Sequence, residues 1–218
     1  MGARAACDLC KSNKITKSEA EYLLSFCNNI GPSYFLGVAY PLLEQNGYHN
    51  KFLLLFGLYG IPLLYGIFLG KLKPTETLSN PLSNSTYKEQ VIHTPVTTAL
   101  RLACLSSIQS ILLLGGYVTF VNAFRAIPEL LHVSGITKAI LGGFLEIVYG
   151  IPGIFNNKSL PSCWKCFCIM TSLSFSGICC MLQTSSITIE ENLSMKKYVF
   201  HKTIITGIAT IYYFILFL

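Results

Sequence analysis

Long stretches with at most one charged residue dominate this sequence, and they leave few kinds of fold open to it. Six of them follow one another, and each approaches or exceeds the roughly 20 apolar residues that a helix needs to cross a bilayer. The fourth contains only Glu146 and the last only Lys202. The six are Tyr22–Leu43, Phe52–Gly70, Leu102–Phe124, residues 139–157, Cys166–Ile189 and Tyr198–Leu218. The sequence therefore predicts an all-α, polytopic helical membrane protein.

The charge content agrees with a chain that faces lipid. Charged residues make up 12% of the 218 residues, about half the share that soluble domains carry. The net charge of +6 comes from basic residues in short segments between apolar stretches, as expected for loops over anionic headgroups. The lipid bilayer is the predicted partner. No basic stripe is dense enough to predict nucleic-acid binding.

The sequence gives no sign of a cofactor or of a catalytic centre. Cys7 with Cys10, and Cys163 with Cys166, have the spacing of half a zinc site, but no histidine pair accompanies either pair. We therefore predict no metal and no cofactor. Nucleophile elbows, zinc-protease motifs and phosphate-binding glycine loops are missing from the sequence, so we do not expect an enzyme.

Two of the six stretches contain residues that interrupt helices. The first has Asn28-Asn29-Ile30-Gly31-Pro32-Ser33 in its middle, and the fifth has Ser172–Gly177 and later Gln183–Ser186. Backbone that leaves the helix at membrane depth is tolerated only inside protein or beside a water-filled cavity. We predict two discontinuous or re-entrant helical segments.

The order of these elements suggests how the chain is divided. We expect a polar N-terminal segment at 1–21, a broken helix with a transmembrane helix at 22–70, a polar loop at 71–97 and a second membrane block at 98–218. Each block has a broken segment and then a plain helix, which suggests an inverted repeat of the kind found in transporters.

Three motifs of the sequence point to a known family. The first is made of Ala3-Arg4-Ala5, Leu9, Ile15–Glu21 and Leu23–Pro32, the second is Gly143–Gly150, and the third is Ser174–Thr184. They resemble the sporulation integral membrane protein YlbJ family, which carries the nucleoside recognition or Gate domain. The resemblance covers most of the chain, and its first motif is the most specific. The family's proteins are longer ahead of that motif, so the chain resembles an N-terminally truncated member.

The resemblance implies a multi-pass protein of the bacterial cell membrane with a role in endospore formation. Transport is implied by the relation of the Gate domain to concentrative nucleoside transporters. The candidate partners are a small polar solute or an ion, a further copy of the chain, and other membrane proteins.

The candidate substrate-binding residues are those at the interruptions, together with the one carboxylate residue within an apolar stretch. They are Asn28, Asn29, Gly31, Ser33, Glu146, Gly177 and Gln183. A charge at mid-membrane costs about 2.5–3.5 kcal/mol on insertion scales, so Glu146 either contacts a solute or ion, or forms a structural hydrogen bond. The asparagines could bind a solute, cap the half-helices, or do both. A membrane glutamine such as Gln183 more often joins helices than binds a ligand.

Two functions remain open from the sequence. The first is a transporter-like or channel-like protein with a polar site at mid-membrane, whose solute is nucleoside-like or another small polar molecule. The second is a membrane scaffold that transports nothing and serves the assembly of the spore envelope.

Overall fold

The computed structural model describes residues 2–72, 95–124, 126–130 and 132–218, and all regular secondary structure in this part of the chain is helical, without strands. The polar loop predicted at 71–97 lies largely outside it. The helices are α1 (Gly2–Lys11), α2 (Lys17–Cys27), α3 (residues 32–45), α4 (Lys51–Leu72), α5 (Val96–Ala123), α6 (Ala126–Leu130), α7 (Gly135–Leu145), α8 (Ile147–Phe155), α9 (Ser162–Phe175), α10 (Gly177–Thr188) and α11 (Met195–Phe217).

Four spans within the described residues are long and apolar enough to cross a membrane: α4, the helix that begins at Val96, α9 together with α10, and α11. Large apolar side chains on them are exposed, among them Phe52 (74%), Leu112 (70%) and Ile215 (77%). Such a surface is stable against lipid and unfavourable in water. The chain is a polytopic helical membrane protein, as predicted, although four of the six predicted stretches become spanning helices.

Proline explains a feature that α3 and α4 share. Each contains one π-helical turn, Phe35–Ala39 in α3 and Phe56–Gly60 in α4, and a proline follows two residues later, Pro41 and Pro62. Proline cannot donate the regular backbone hydrogen bond, and its ring clashes with the preceding turn. The wider π turn provides the room, so both helices continue past their prolines.

The interior is built around α11, which packs closely against α9 and also contacts α2 and α4. Tyr213 of α11 is fully buried, and its hydroxyl donates a hydrogen bond to the Leu54 carbonyl (3.1 Å). A Cβ atom on Gly57 would lie 2.2 Å from the Tyr213 hydroxyl oxygen. Glycine at this position therefore allows α4 to approach α11.

One prediction for residues 139–157 is wrong. We expected a single helix bearing Glu146, but the chain forms a hairpin of α7 and α8 with Glu146 between them in an extended conformation (φ −152°, ψ 120°). The two helices approach so closely that a Cβ on Gly150 would lie 2.3 Å from the Cα of Gly143. The sequence lacks a proline at the turn, so the apolar pattern alone did not reveal the break.

The break predicted in the fifth stretch is confirmed but is narrower than expected. It lies at Ser176 and Gly177, which both have positive φ (70° and 76°). The polar run Gln183–Ser186, which we expected to be a second interruption, is part of α10. Serine and threonine side chains there donate to carbonyls one turn earlier, as Thr184 does to Cys180 (2.8 Å), so the helix tolerates them.

The polar N-terminal segment contains α1 and the capped start of α2. Thr16 and Glu19 form a capping box at α2. Glu21 accepts hydrogen bonds from the Lys197 ammonium (2.7 Å) and the Ser194 backbone N–H (3.0 Å), which ties α2 to the start of α11. Burial raises the pKa of the Glu21 carboxyl, but these two hydrogen bonds and the positive charges of Lys197 and Lys17 together outweigh burial and hold the pKa below its usual value.

A lowered pKa at Glu21 predicts a loss of stability in acid. The stabilisation is complete above the unfolded-state pKa of 4.5 and disappears as the pH falls through the lower folded-state pKa. Because Lys197 is largely exposed, we expect this stabilisation to be less than about 1 kcal/mol. Melting temperatures in detergent from pH 7 to pH 3 would measure it. The difference in melting temperature between the wild type and Glu21→Gln should disappear in acid, and a difference that stays constant with pH would contradict the prediction.

Candidate functional site

Two of the helix breaks lie directly against each other inside the protein. A Cβ built on Gly177 would lie 3.3 Å from the Leu145 carbonyl oxygen and 3.6 Å from a methyl carbon of Ile147. The break between α9 and α10 therefore contacts the tip of the α7–α8 hairpin. The first break also reaches this tip, because the Tyr34 hydroxyl at the start of α3 donates to the Ile147 carbonyl (3.1 Å).

Glu146 occupies the tip of the hairpin and is 2% exposed. Its two carboxylate oxygens accept hydrogen bonds from the backbone N–H groups of Val148 and Tyr149, both at 3.0 Å. These N–H groups lie in the first turn of α8, where the helix itself offers no acceptor. A carboxylate at a helix N-terminus also interacts favourably with the helix dipole. Glu146 therefore forms the structural hydrogen bonds that the sequence left as one of its two possible roles. Each carboxylate oxygen keeps a lone pair that could also accept a hydrogen bond from a solute.

The first break, after Cys27, forms a second polar cluster. The buried side-chain amide of Asn28 donates to the Thr184 hydroxyl (2.8 Å) and the Tyr198 hydroxyl (3.0 Å), and so joins the end of α2 to α10 and α11. Asn29 is half-buried, and its amide donates to the Phe26 carbonyl (2.8 Å). Both asparagines thus stabilise the break. This second cluster is separate from the hairpin tip, because Thr184 lies about 10 Å along α10 from Gly177.

Lys202 completes this cluster, and the sequence analysis did not identify it. It belongs to the spanning helix α11 and is 2% exposed. Its ammonium donates to the Asn28 carbonyl (3.1 Å) and the Asn29 side-chain oxygen (3.2 Å). A lysine near the start of an apolar stretch usually extends to the membrane surface. The signal that could have identified it is its charge inside an apolar stretch, because such a charge needs a partner from elsewhere in the chain.

The remaining predicted residues lie at the edge of these clusters or outside them. Gly31 and Ser33 are exposed at the start of α3. Gln183 is half-buried, and its amide approaches the Cys179 sulfur (3.5 Å). It lines a separate open cavity of about 830 Å³ between α1, α5 and α10. The structure therefore brings Asn28, Asn29, Glu146 and Gly177 to the interior breaks and places Gln183 beside that cavity.

Arg4 also lines this cavity, and its guanidinium donates to the hydroxyls of Ser106 and Ser110 on α5. Gln109 lines an adjoining cavity of about 280 Å³, together with Asp8 and Glu190. The walls thus mix both signs of charge with apolar side chains.

The cysteines remain thiols in a largely apolar setting. Burial, with smaller contributions from the charges of Glu191 and other nearby groups, raises the pKa of Cys7 to about 11, so its thiol is protonated at neutral pH and is a weak metal ligand. Within the described ranges, no three His, Cys, Asp or Glu side chains are grouped as metal ligands.

Comparison of the chain with protein-family models, with curated proteins and with solved structures found no match.

Proposed function

We propose that this chain is a transporter-like membrane protein that moves a small polar solute past the three helix breaks. The observation that supports this most is that the Ser176–Gly177 break and Tyr34 at the start of α3 both contact the hairpin tip around Glu146 within an apolar bundle. Discontinuous helices that meet inside a membrane protein are the usual framework of a transport site.

The chemistry of the two clusters suits a solute with several hydroxyl or amide groups. Glu146 offers acceptors, and Asn28, Thr184 and Tyr198 offer amide and hydroxyl groups, all in an environment where an unmatched hydrogen bond is costly. A nucleoside has this pattern. The resemblance to the YlbJ family supports the same solute class and adds a role in endospore formation at the bacterial cell membrane.

The alternative is a scaffold for the spore envelope, and one observation favours it. The oxygens of Glu146 and both amide hydrogens of Asn28 are already used by protein partners. Polar groups satisfied in this way could serve only to hold the breaks together. A transporter would have to exchange some of these partners for solute.

Uptake into vesicles tests the proposal. Purified protein in liposomes should take up radiolabelled uridine, or another member of a panel of small polar solutes, faster than protein-free liposomes, and the rate should saturate. The Glu44→Gln variant, changed at an exposed carboxylate, should behave like the wild type. Equal uptake with and without folded protein across the panel, combined with normal complementation of a sporulation-defective strain, would favour the scaffold.

A further inference from the structure

Among the residues that the structure describes, Lys202 is a buried cation without a buried anionic partner. Its two hydrogen-bond acceptors, the Asn28 carbonyl and the Asn29 amide oxygen, are both neutral. The ionisable groups around it are the thiols of Cys27 on α2 and Cys180 on α10, and Tyr198 lies one turn earlier on its own helix. No carboxylate of the described residues pairs with it. An ionisable residue of this kind inside a membrane protein normally has a function.

The position of the ammonium explains why it is stable without a counter-ion. It lies at the C-terminal end of α2, where Cys27 is the last helical residue and Asn28 follows. The final carbonyls of a helix lack intrahelical partners and carry partial negative charge. Such carbonyls at a broken helix, joined by a side-chain amide oxygen, are also the ligands with which transporters hold monovalent cations.

We infer that Lys202 acts as a tethered monovalent cation, its ammonium filling a cation subsite formed by the Asn28 carbonyl and the Asn29 amide oxygen. The protein then needs no sodium ion at this position, because the charge is supplied by its own chain. Removing the side chain beyond Cβ leaves the acceptors in place and opens the subsite to a free cation. Its role in transport rests on the proposed function, but the subsite itself can be tested without transport.

The test is chemical rescue of a lysine variant, with a variant of matched size as control. Lys202→Ala should bind a small cation in the space that the ammonium leaves, whereas Lys202→Met fills that space with an uncharged chain. Melting temperatures are measured in detergent with methylammonium, sodium or choline chloride at equal ionic strength. At tenfold excess over its dissociation constant, methylammonium should raise the melting temperature of Lys202→Ala by about 3–6 °C relative to choline.

Neither the wild type nor Lys202→Met should respond to methylammonium or sodium. Sodium rescue of Lys202→Ala would also support the inference, because it shows that the acceptors hold a free cation. An equal response of the alanine and methionine variants, or no response of a folded Lys202→Ala, would overturn it.

A second pair of variants keeps the inference testable if Lys202→Ala does not fold. Asn29→Asp and Asn29→Leu both remove the amide that donates to Phe26, but only aspartate keeps an oxygen for the Lys202 ammonium. If position 29 is a cation acceptor, aspartate should give the higher melting temperature. If leucine gives the higher one, position 29 holds no cation and the inference is wrong.

Transport measurements separate this inference from the proposed function. Wild-type uptake should be unchanged when choline replaces sodium. Rescue of Lys202→Ala without any uptake by the wild type would preserve the cation subsite and remove the transport proposal. Sodium-dependent uptake by the wild type, with no cation response of Lys202→Ala, would preserve the transport proposal and remove the cation subsite.

Discussion

A protein carrying Gly150→Ala is expected to lose about 3 kcal/mol of stability, a value near the upper end of the usual cost of overpacking. The added Cβ would lie 2.3 Å from the backbone N and Cα of Gly143 and 2.4 Å from the Gly142 carbonyl carbon. Real carbon atoms do not approach backbone so closely, and backbone cannot rotate aside as a side chain can. The α7–α8 hairpin must open, and Glu146 at its tip moves with it.

Gly153→Ala is the matched control, because Gly153 lies in the same helix and a Cβ there meets nothing within 4 Å. Alanine should leave stability unchanged or raise it by up to about 1 kcal/mol through its better helix propensity. Unfolding of the purified proteins in detergent would measure both effects. A similar small change in both variants would show that the hairpin does not close as described.

The apolar spans and the first break could be predicted because each depends on local chemistry. Lipid cannot hydrogen-bond the backbone, so a spanning segment must be a long apolar helix. Asn28-Asn29 followed by Gly31-Pro32 interrupts a helix whatever surrounds it, and α2 does end at Cys27. The Ser176–Gly177 break belongs to the same group, because glycine adopts positive φ without strain.

The hairpin and the buried lysine could not be predicted, because each depends on packing between distant segments. The turn at Glu146 is stable because Gly143 and Gly150 let two helices touch, and seven-residue spacing of glycines fits a straight helix equally well. Burial of Lys202 depends on the open end of α2, which lies 174 residues earlier in the chain. A useful signal in both places is a charged residue inside an apolar stretch, since such a charge needs a partner from elsewhere.

Replacement of Glu146 by alanine or by glutamine should separate its structural role from its role in transport. Alanine removes both carboxylate acceptors of the Val148 and Tyr149 N–H groups, which lie at a part-buried position of the apolar bundle. Each unsatisfied group costs about 1–3 kcal/mol, so we expect a loss of about 2–4 kcal/mol and reduced insertion. Glutamine has nearly the same shape and keeps one acceptor oxygen, so it should lose only about 1–2 kcal/mol.

The transport proposal requires the charge of Glu146 in addition to its role as the cap of α8. Glu146→Gln should therefore insert into the membrane but lose uptake by at least about tenfold. A tenfold loss equals about 1.4 kcal/mol of binding or barrier energy. Uptake in liposomes and membrane insertion must be measured on the same preparation. If Glu146→Gln takes up solute like the wild type while Glu146→Ala fails to insert, the carboxylate is only a helix cap. The polar interior would then stabilise the breaks, and the scaffold function would be the better explanation of the fold.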